Sequence, residues 1–207
     1  MTTDSDASGA TQFLRRAEVT GAARAIFDED EAEVGFVMNA SRLWAYQPKA
    51  MTGLFELLGS VAAGASLTER QRGILIAACA SSLGDSCCSL AWGTRLAGQA
   101  SPSLAAGVLS GADTGLDPAE QAMAAWARQV ARDPNAAAAG DVQALRDAGL
   151  SDAGIFAVTV YVALRIAFST VNDALGVRPD AEYATLAPTA VRDAVTFGRP
   201  LADHPAH

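Results

Sequence analysis

At 207 residues the chain can bury the core of a single domain, and a composition half hydrophobic with only 18% charged residues suits a packed globule rather than disorder. A formal net charge of −8 argues against nucleic-acid backbones and anionic membranes as main partners. Three cysteines in one short region are no secreted disulfide framework, the polar, acidic start MTTDSDASGATQ lacks the regions of a signal peptide, and the longest apolar run, 153–164, is too short to span a bilayer, so a cytoplasmic soluble protein is expected.

In chain order, residues 1–10 read as a frayed, disordered tail. From Thr11, apolar residues at helical spacing predict a first helix to about Phe27, and the acidic run 28–31 then reads as a solvated helix–loop junction. Asn39 or Ser41 is placed to cap a short helix, and Pro48 suits the first turn of another running to about Ala63, with Trp44 and Tyr46 at the junction as core or pocket aromatics. Ser66 and Glu69 form a capping-box pattern ahead of a central helix whose residues 74–80 are all apolar, which demands burial on every side. Gly84-Asp85 is a tight elbow, and Asp85 or Ser86 caps the next helix, to about Ala97.

Ser101-Pro102 opens a short helix to about Leu109. Asp117, Pro118 and Glu120 then supply a full start signal for a helix with Met123, Trp126 and Val130 at core spacing, which stops at Asp133-Pro134. An Ala-rich piece closes at Gly149, Ser151 caps a long helix through Leu175 closed by Gly176, and a last helix covers about 189–197. No stretch has strand periodicity between hairpin signals, so the expected fold is all-α, a single domain over 11–198 followed by a C-terminal tail, 199–207.

No P-loop, dinucleotide fingerprint, nucleophile elbow or HExxH is present. The only histidines, His204 and His207, lie in the final tail, which argues against a His-ligated metal or a His general base inside the fold; no metal or cofactor is expected. Chemistry concentrates instead in GDSCCSLAW. Cys87 and Cys88 fall in the first turn of a helix, where free N–H groups favour a thiolate, while Asp85 beside them opposes it by like charge. Trp92 is one helical turn beyond Cys88, and helical side chains lean toward the N-terminus, so the indole is expected over the sulfur, shielding it and raising its pKa.

The order and spacing of EVGFVMNASRLWAYQPK, LTERQRGILIAACASSLGDSCC, LDPAEQAMAAWARQ and VNDALGV resemble the AhpD-like/carboxymuconolactone decarboxylase superfamily, especially its peroxidase-related branch. The resemblance implies an AhpD-like helical bundle and thiol-dependent alkyl hydroperoxide reduction, the antioxidant work of a peroxiredoxin-type oxidoreductase. In thiol-peroxidase members the elbow is a C-x-x-C with a histidine four residues past the second cysteine and a relay glutamate in the preceding helix. Laid on this chain, the second cysteine is Cys88, the first falls on Asp85, the histidine on Trp92 and the glutamate on Gly73, while Cys87 takes a position often held by tyrosine or histidine. The decarboxylase branch also places a histidine at Trp92.

Three readings follow. In the first, Cys88 is a one-cysteine nucleophile, resolved by Cys87, Cys79 or an external thiol, with standard turnover weak or absent because Asp85 cannot resolve a sulfenic acid. In the second, the family pocket serves as a repurposed small-molecule enzyme or binder, with Asp85, Tyr46, Arg95 and the Tyr161/Arg165 pair as polar groups. Asp85 with Trp92 would make that site apolar and acidic, suited to a cationic or hydroxylated ligand rather than a free acid, and Arg165 would pair with an acid such as Asp173 or one across a subunit interface. In the third, the protein is a non-catalytic oligomeric scaffold. Members of the family are homo-oligomers, and the all-apolar stretches 73–80 and 153–164 are expected to exceed what one helical layer covers, so a homodimer or larger is expected with any of the three.

Overall fold

A computed structural model describes residues 11–203 of the chain; the tail 1–10, His204 and His207 lie outside the described residues. The central element is α4, Glu69–Leu83, which packs against α5 (Ser86–Gln99), α6 (Pro102–Ser110), α7 (Pro118–Arg132) and α9 (Asp152–Ala174). Encircled in this way, α4 buries every residue from Gly73 to Ala80. The all-apolar stretch that suggested a subunit interface is therefore consumed within one chain.

The start of α4 is two residues later than the Ser66 capping pattern predicts. Ser66 lies at φ +53, a left-handed turn, and the box is formed by Thr68 and Gln71, each side chain accepting the other's backbone N–H at 3.2 and 3.0 Å. The Asp117–Glu120 box of α7 and the Ser151 cap of α9 form as the sequence predicts.

The remaining helices are α1 (Gly21–Val34), α2 (Asn39–Trp44), α3 (Pro48–Gly64), α8 (Ala139–Asp147), α10 (Tyr183–Leu186) and α11 (Thr189–Ala194), and among the described residues there is no strand. The first helix is the largest departure from expectation. Residues 11–20 are not helical but run beside the end of α9, with the Phe13 N–H donating to Leu175 O and the Arg178 N–H to Thr11 O. The acidic run lies inside α1, because Asp30 turns inward and accepts the Met38 N–H at 2.9 Å. The short α2 starts with neither proposed cap bonded: its N-cap is Met38, and the Asn39 side chain donates instead to Arg178 O.

Helix α9 has 23 residues and is by length and composition long enough to cross a bilayer, more than the run 153–164 suggested. It packs along α3, α4 and α7 and buries Arg165, Ser169 and Asn172 in the bundle. The described part of the expected C-terminal tail is also anchored. Ser86 exchanges two hydrogen bonds with the backbone of Arg199, at 2.8 and 3.0 Å, and the Ala202 N–H donates to Pro179 O. Gly198, at φ +72, runs so close to the elbow that a Cβ would come within 2.5 Å of Gly84 O.

Candidate functional site

The elbow is built by backbone rules. Helix α4 ends on Gly84 at φ +77, and Asp85 caps α5 by accepting the Cys88 N–H on Oδ1 at 2.9 Å. Capping consumes one oxygen; Asp85 is fully buried, and its Oδ2 accepts nothing from any nitrogen or oxygen donor. The following turn presents Cys88, 5% exposed, and Cys87, half-buried, whose thiol lies 3.4 Å from Val177 O. All three cysteines are free.

Helix α9 supplies the facing wall through Arg165, Phe168, Ser169 and Asn172, spaced by threes and fours along one side. Arg165 Nη2 donates to Cys88 Sγ at 3.3 Å, with Ser169 Oγ at 3.9 Å from the same sulfur. The guanidinium is 3% exposed and lies over three aromatic rings, 5.0 Å from Phe168, 5.6 Å from Trp92 and 5.9 Å from Phe55. Trp92 thus meets Arg165, and it is Arg165 that the Cys88 sulfur meets.

The thiol chemistry follows from these surroundings. Burial pushes the Cys88 pKa well above the ordinary thiol range, and the Asp85 charge adds to it; Arg165 and Ser169 pull the other way without reversing it. Cys87 is raised by burial and by Asp85, and Cys79, in the α4 core, is raised to about 12 by burial. At neutral pH Cys88 is a protonated thiol.

Between these walls lies a cavity of about 410 Å³, the size of a small-ligand pocket. Met51 and Phe55 of α3, Tyr183 of α10 and Asp180 close it, and the pair Glu33–Arg95 joins α1 to α5 at its edge, with Arg95 stacked 4.7 Å over Trp92. Burial raises the Asp180 carboxyl to about 7, although Oδ1 accepts the Asn39 N–H at 2.6 Å.

Of the residues singled out in the sequence, Cys87, Cys88, Trp92, Arg95 and Arg165 line this cavity. Asp85 lies behind Cys88 as a cap, and Tyr161 is core, so the acidic Asp85–Trp92 site does not form. Gly73 faces Leu96, whose Cδ1 would be 3.3 Å from a Cβ there. Tyr46 is 48% exposed, donates to Arg15 O at 3.1 Å and borders a separate apolar hollow with Trp44. The expected Arg165–Asp173 pair is absent, because Asp173 lies 3.8 Å from Arg199. Phe55, Phe168, Asn172, Asp180 and Tyr183 were not foreseen. For two of them a signal existed: Phe168 and Asn172 follow Arg165 at i+3 and i+7.

No protein-family model matches the chain, and no curated protein matches it in sequence. Solved structures do. An alkylhydroperoxidase AhpD core, an uncharacterized peroxidase-related protein from Ralstonia eutropha JMP134, superposes with a TM-score of 0.71 at 22% identity, covering 84% of this chain and 95% of that one. An uncharacterized peroxidase-related protein from Silicibacter sp. TM1040 gives a TM-score of 0.75 at 18% identity, covering 89% and 98%. The chain has the AhpD-like all-helical fold of these peroxidase-related proteins.

Proposed function

We propose that the chain is a peroxidase-related member of the AhpD-like/carboxymuconolactone decarboxylase superfamily whose elbow cavity holds a small organic molecule, and in which the two-cysteine hydroperoxide cycle is weak or absent. The observation that carries this reading is Cys88: a buried, protonated thiol at the wall of an apolar cavity, with Asp85 where a partner cysteine would stand. Asp85 has no sulfur with which to form a resolving disulfide, and its charge opposes formation of the thiolate.

A second reading rests on the Arg165–Cys88 contact. If Cys88 loses its proton, the guanidinium 3.3 Å away becomes the partner of the thiolate. The sulfur would then attack the terminal, hydroxyl oxygen of a hydroperoxide, forming an S–O bond as the O–O bond breaks, and the departing alkoxide would take up the equivalent of the proton that Cys88 lost and leave as the alcohol. One external thiol would condense with the resulting sulfenic acid to a mixed disulfide, releasing water, and a second would free Cys88 as the two external sulfurs join in a disulfide. The two readings separate in a hydroperoxide turnover assay with a dithiol reductant. Equal background rates for wild type and Cys88→Ser are expected; clear turnover that the substitution abolishes establishes the one-cysteine peroxidase instead.

Self-association belongs to the same proposal. Leu57 and Phe156, at 48% and 72% exposed, are apolar side chains on the outer surfaces of α3 and α9. A homodimer or larger is expected in light scattering, and a monomer at working concentration refutes it.

A further inference from the structure

Burying a cation is costly unless an anion or a full set of acceptors meets it. Arg165 has neither. Among the described residues no carboxylate lies within 4 Å of its guanidinium, its Nε has no acceptor, and its only polar partner is a neutral thiol. The same wall carries a second unmet donor. Asn172 is fully buried; its Oδ1 accepts the Trp44 indole N–H at 2.9 Å, which fixes the amide so that Nδ2 is the free end, and that end has no partner. Both residues line the cavity.

We infer that the cavity is a binding site for an organic monocarboxylate with an apolar body, its carboxylate taken by Arg165 and the Asn172 amide. This rests on the small-molecule reading above and names its ligand class. The planar guanidinium donates in pairs to a carboxylate, a match an ammonium or hydroxyl ligand cannot make. The remaining walls, Phe55, Trp92, Phe168 and Met51, suit an apolar body. The other charges do not displace such a ligand: Glu33 is already paired with Arg95, and Asp180, raised to about 7, carries only part of a charge at neutral pH. The site therefore selects a free acid, the opposite of what Asp85 and Trp92 imply on sequence alone.

The probes are octanoate, octanol and octylamine, which share a chain and differ in head group, titrated by calorimetry at neutral pH. Wild type is expected to bind octanoate at least tenfold more tightly than either of the others. Asn172→Asp keeps the acceptor for Trp44 and replaces the free amide with an anion, so it should lose octanoate while retaining octanol. Arg165→Met should bind octanoate and octanol alike. Equal wild-type affinity for octanoate and octanol overturns the carboxylate inference while leaving the small-molecule reading intact. Binding of none of the three overturns both. A preference for octanoate that survives both substitutions places the carboxylate elsewhere and overturns the assignment to Arg165 and Asn172.

Discussion

Two buried charges in this molecule are handled in opposite ways. On the α4–α7 side, Glu120 is 5% exposed and fully occupied: Arg70 reaches it through Nε at 2.6 Å and Nη2 at 2.9 Å, and its Oε2 also accepts the Asp117 N–H at 3.1 Å. Arg70 is the larger cause of the Glu120 carboxyl's lowered pKa. On the cavity side Arg165 is as deeply buried, yet it meets three aromatic rings, one thiol and no carboxylate. Glu120 is matched within the fold, whereas Arg165, left unmatched beside a cavity, is available to a ligand. The contrast breaks most plainly on substitution. Glu120→Ala leaves Arg70, a third exposed, without its carboxylate and opens the α7 capping box, and should cost about 2 kcal/mol in urea denaturation. Arg165→Met, which removes an unpaired cation, should leave stability unchanged or raise it by about 1 kcal/mol. A loss from Arg165→Met as large as that from Glu120→Ala would mean that Arg165 is a structural charge after all.

The same asymmetry should be visible in pH. Asp173 and Asp180, both on the elbow side, are raised from 3.8 to about 7, chiefly by burial. Between about pH 4 and pH 7 the folded chain therefore holds protons that the unfolded chain has released, so stability falls as pH rises through that window. Asp30, also raised by burial, acts in the same direction. Glu120 acts in the opposite direction, but its contribution is lost only as pH falls through its lowered pKa, below this window. Denaturation midpoints should be higher at about pH 5.5 than at about pH 8, with the slope reduced in Asp180→Asn. A midpoint that rises with pH across this range would contradict the burial of these carboxyls.

The two sides also differ in how far they can be read from sequence. The starts of α7 and α9 are local matters, fixed by Asp117-Pro118-Ala119-Glu120 and by Ser151, and they stand where those residues place them, while the start of α4 falls two residues beyond the Ser66 pattern. Near the cavity the deciding partners lie outside the element they shape. The inward turn of Asp30 depends on Met38, and residues 11–20 follow the end of α9 rather than their own periodicity. The meeting of Arg165 with Cys88 spans 77 positions. Composition marks both residues as unusual but does not bring them together, so the sequence predicts an acidic site where the unmatched charge lining the cavity is basic. The sequence offers Asp85 or Ser86 as the cap; the fold selects Asp85 and shows that capping hides its carboxylate behind the cysteine.

That hidden carboxylate allows the finest test, because its two duties can be separated. Asp85 caps α5 through Oδ1 and raises the Cys88 pKa through its charge. Asn caps a helix about as well as Asp, so Asp85→Asn keeps the acceptor for the Cys88 N–H and removes only the charge. Stability should change by no more than about 0.5 kcal/mol, while the pH profile for alkylation of Cys88 by iodoacetamide moves to lower pH. One unit of movement is about tenfold in thiolate at a fixed pH below the pKa. Burial remains in the variant, so the thiol should stay above its ordinary range, and with the charge gone the opposing pull of Arg165 has more effect. Cys88→Ser supplies the background from Cys87 and Cys79. An unmoved profile would mean that burial alone holds the proton on Cys88, and that the aspartate at the elbow is a cap with no hand in the chemistry of the thiol.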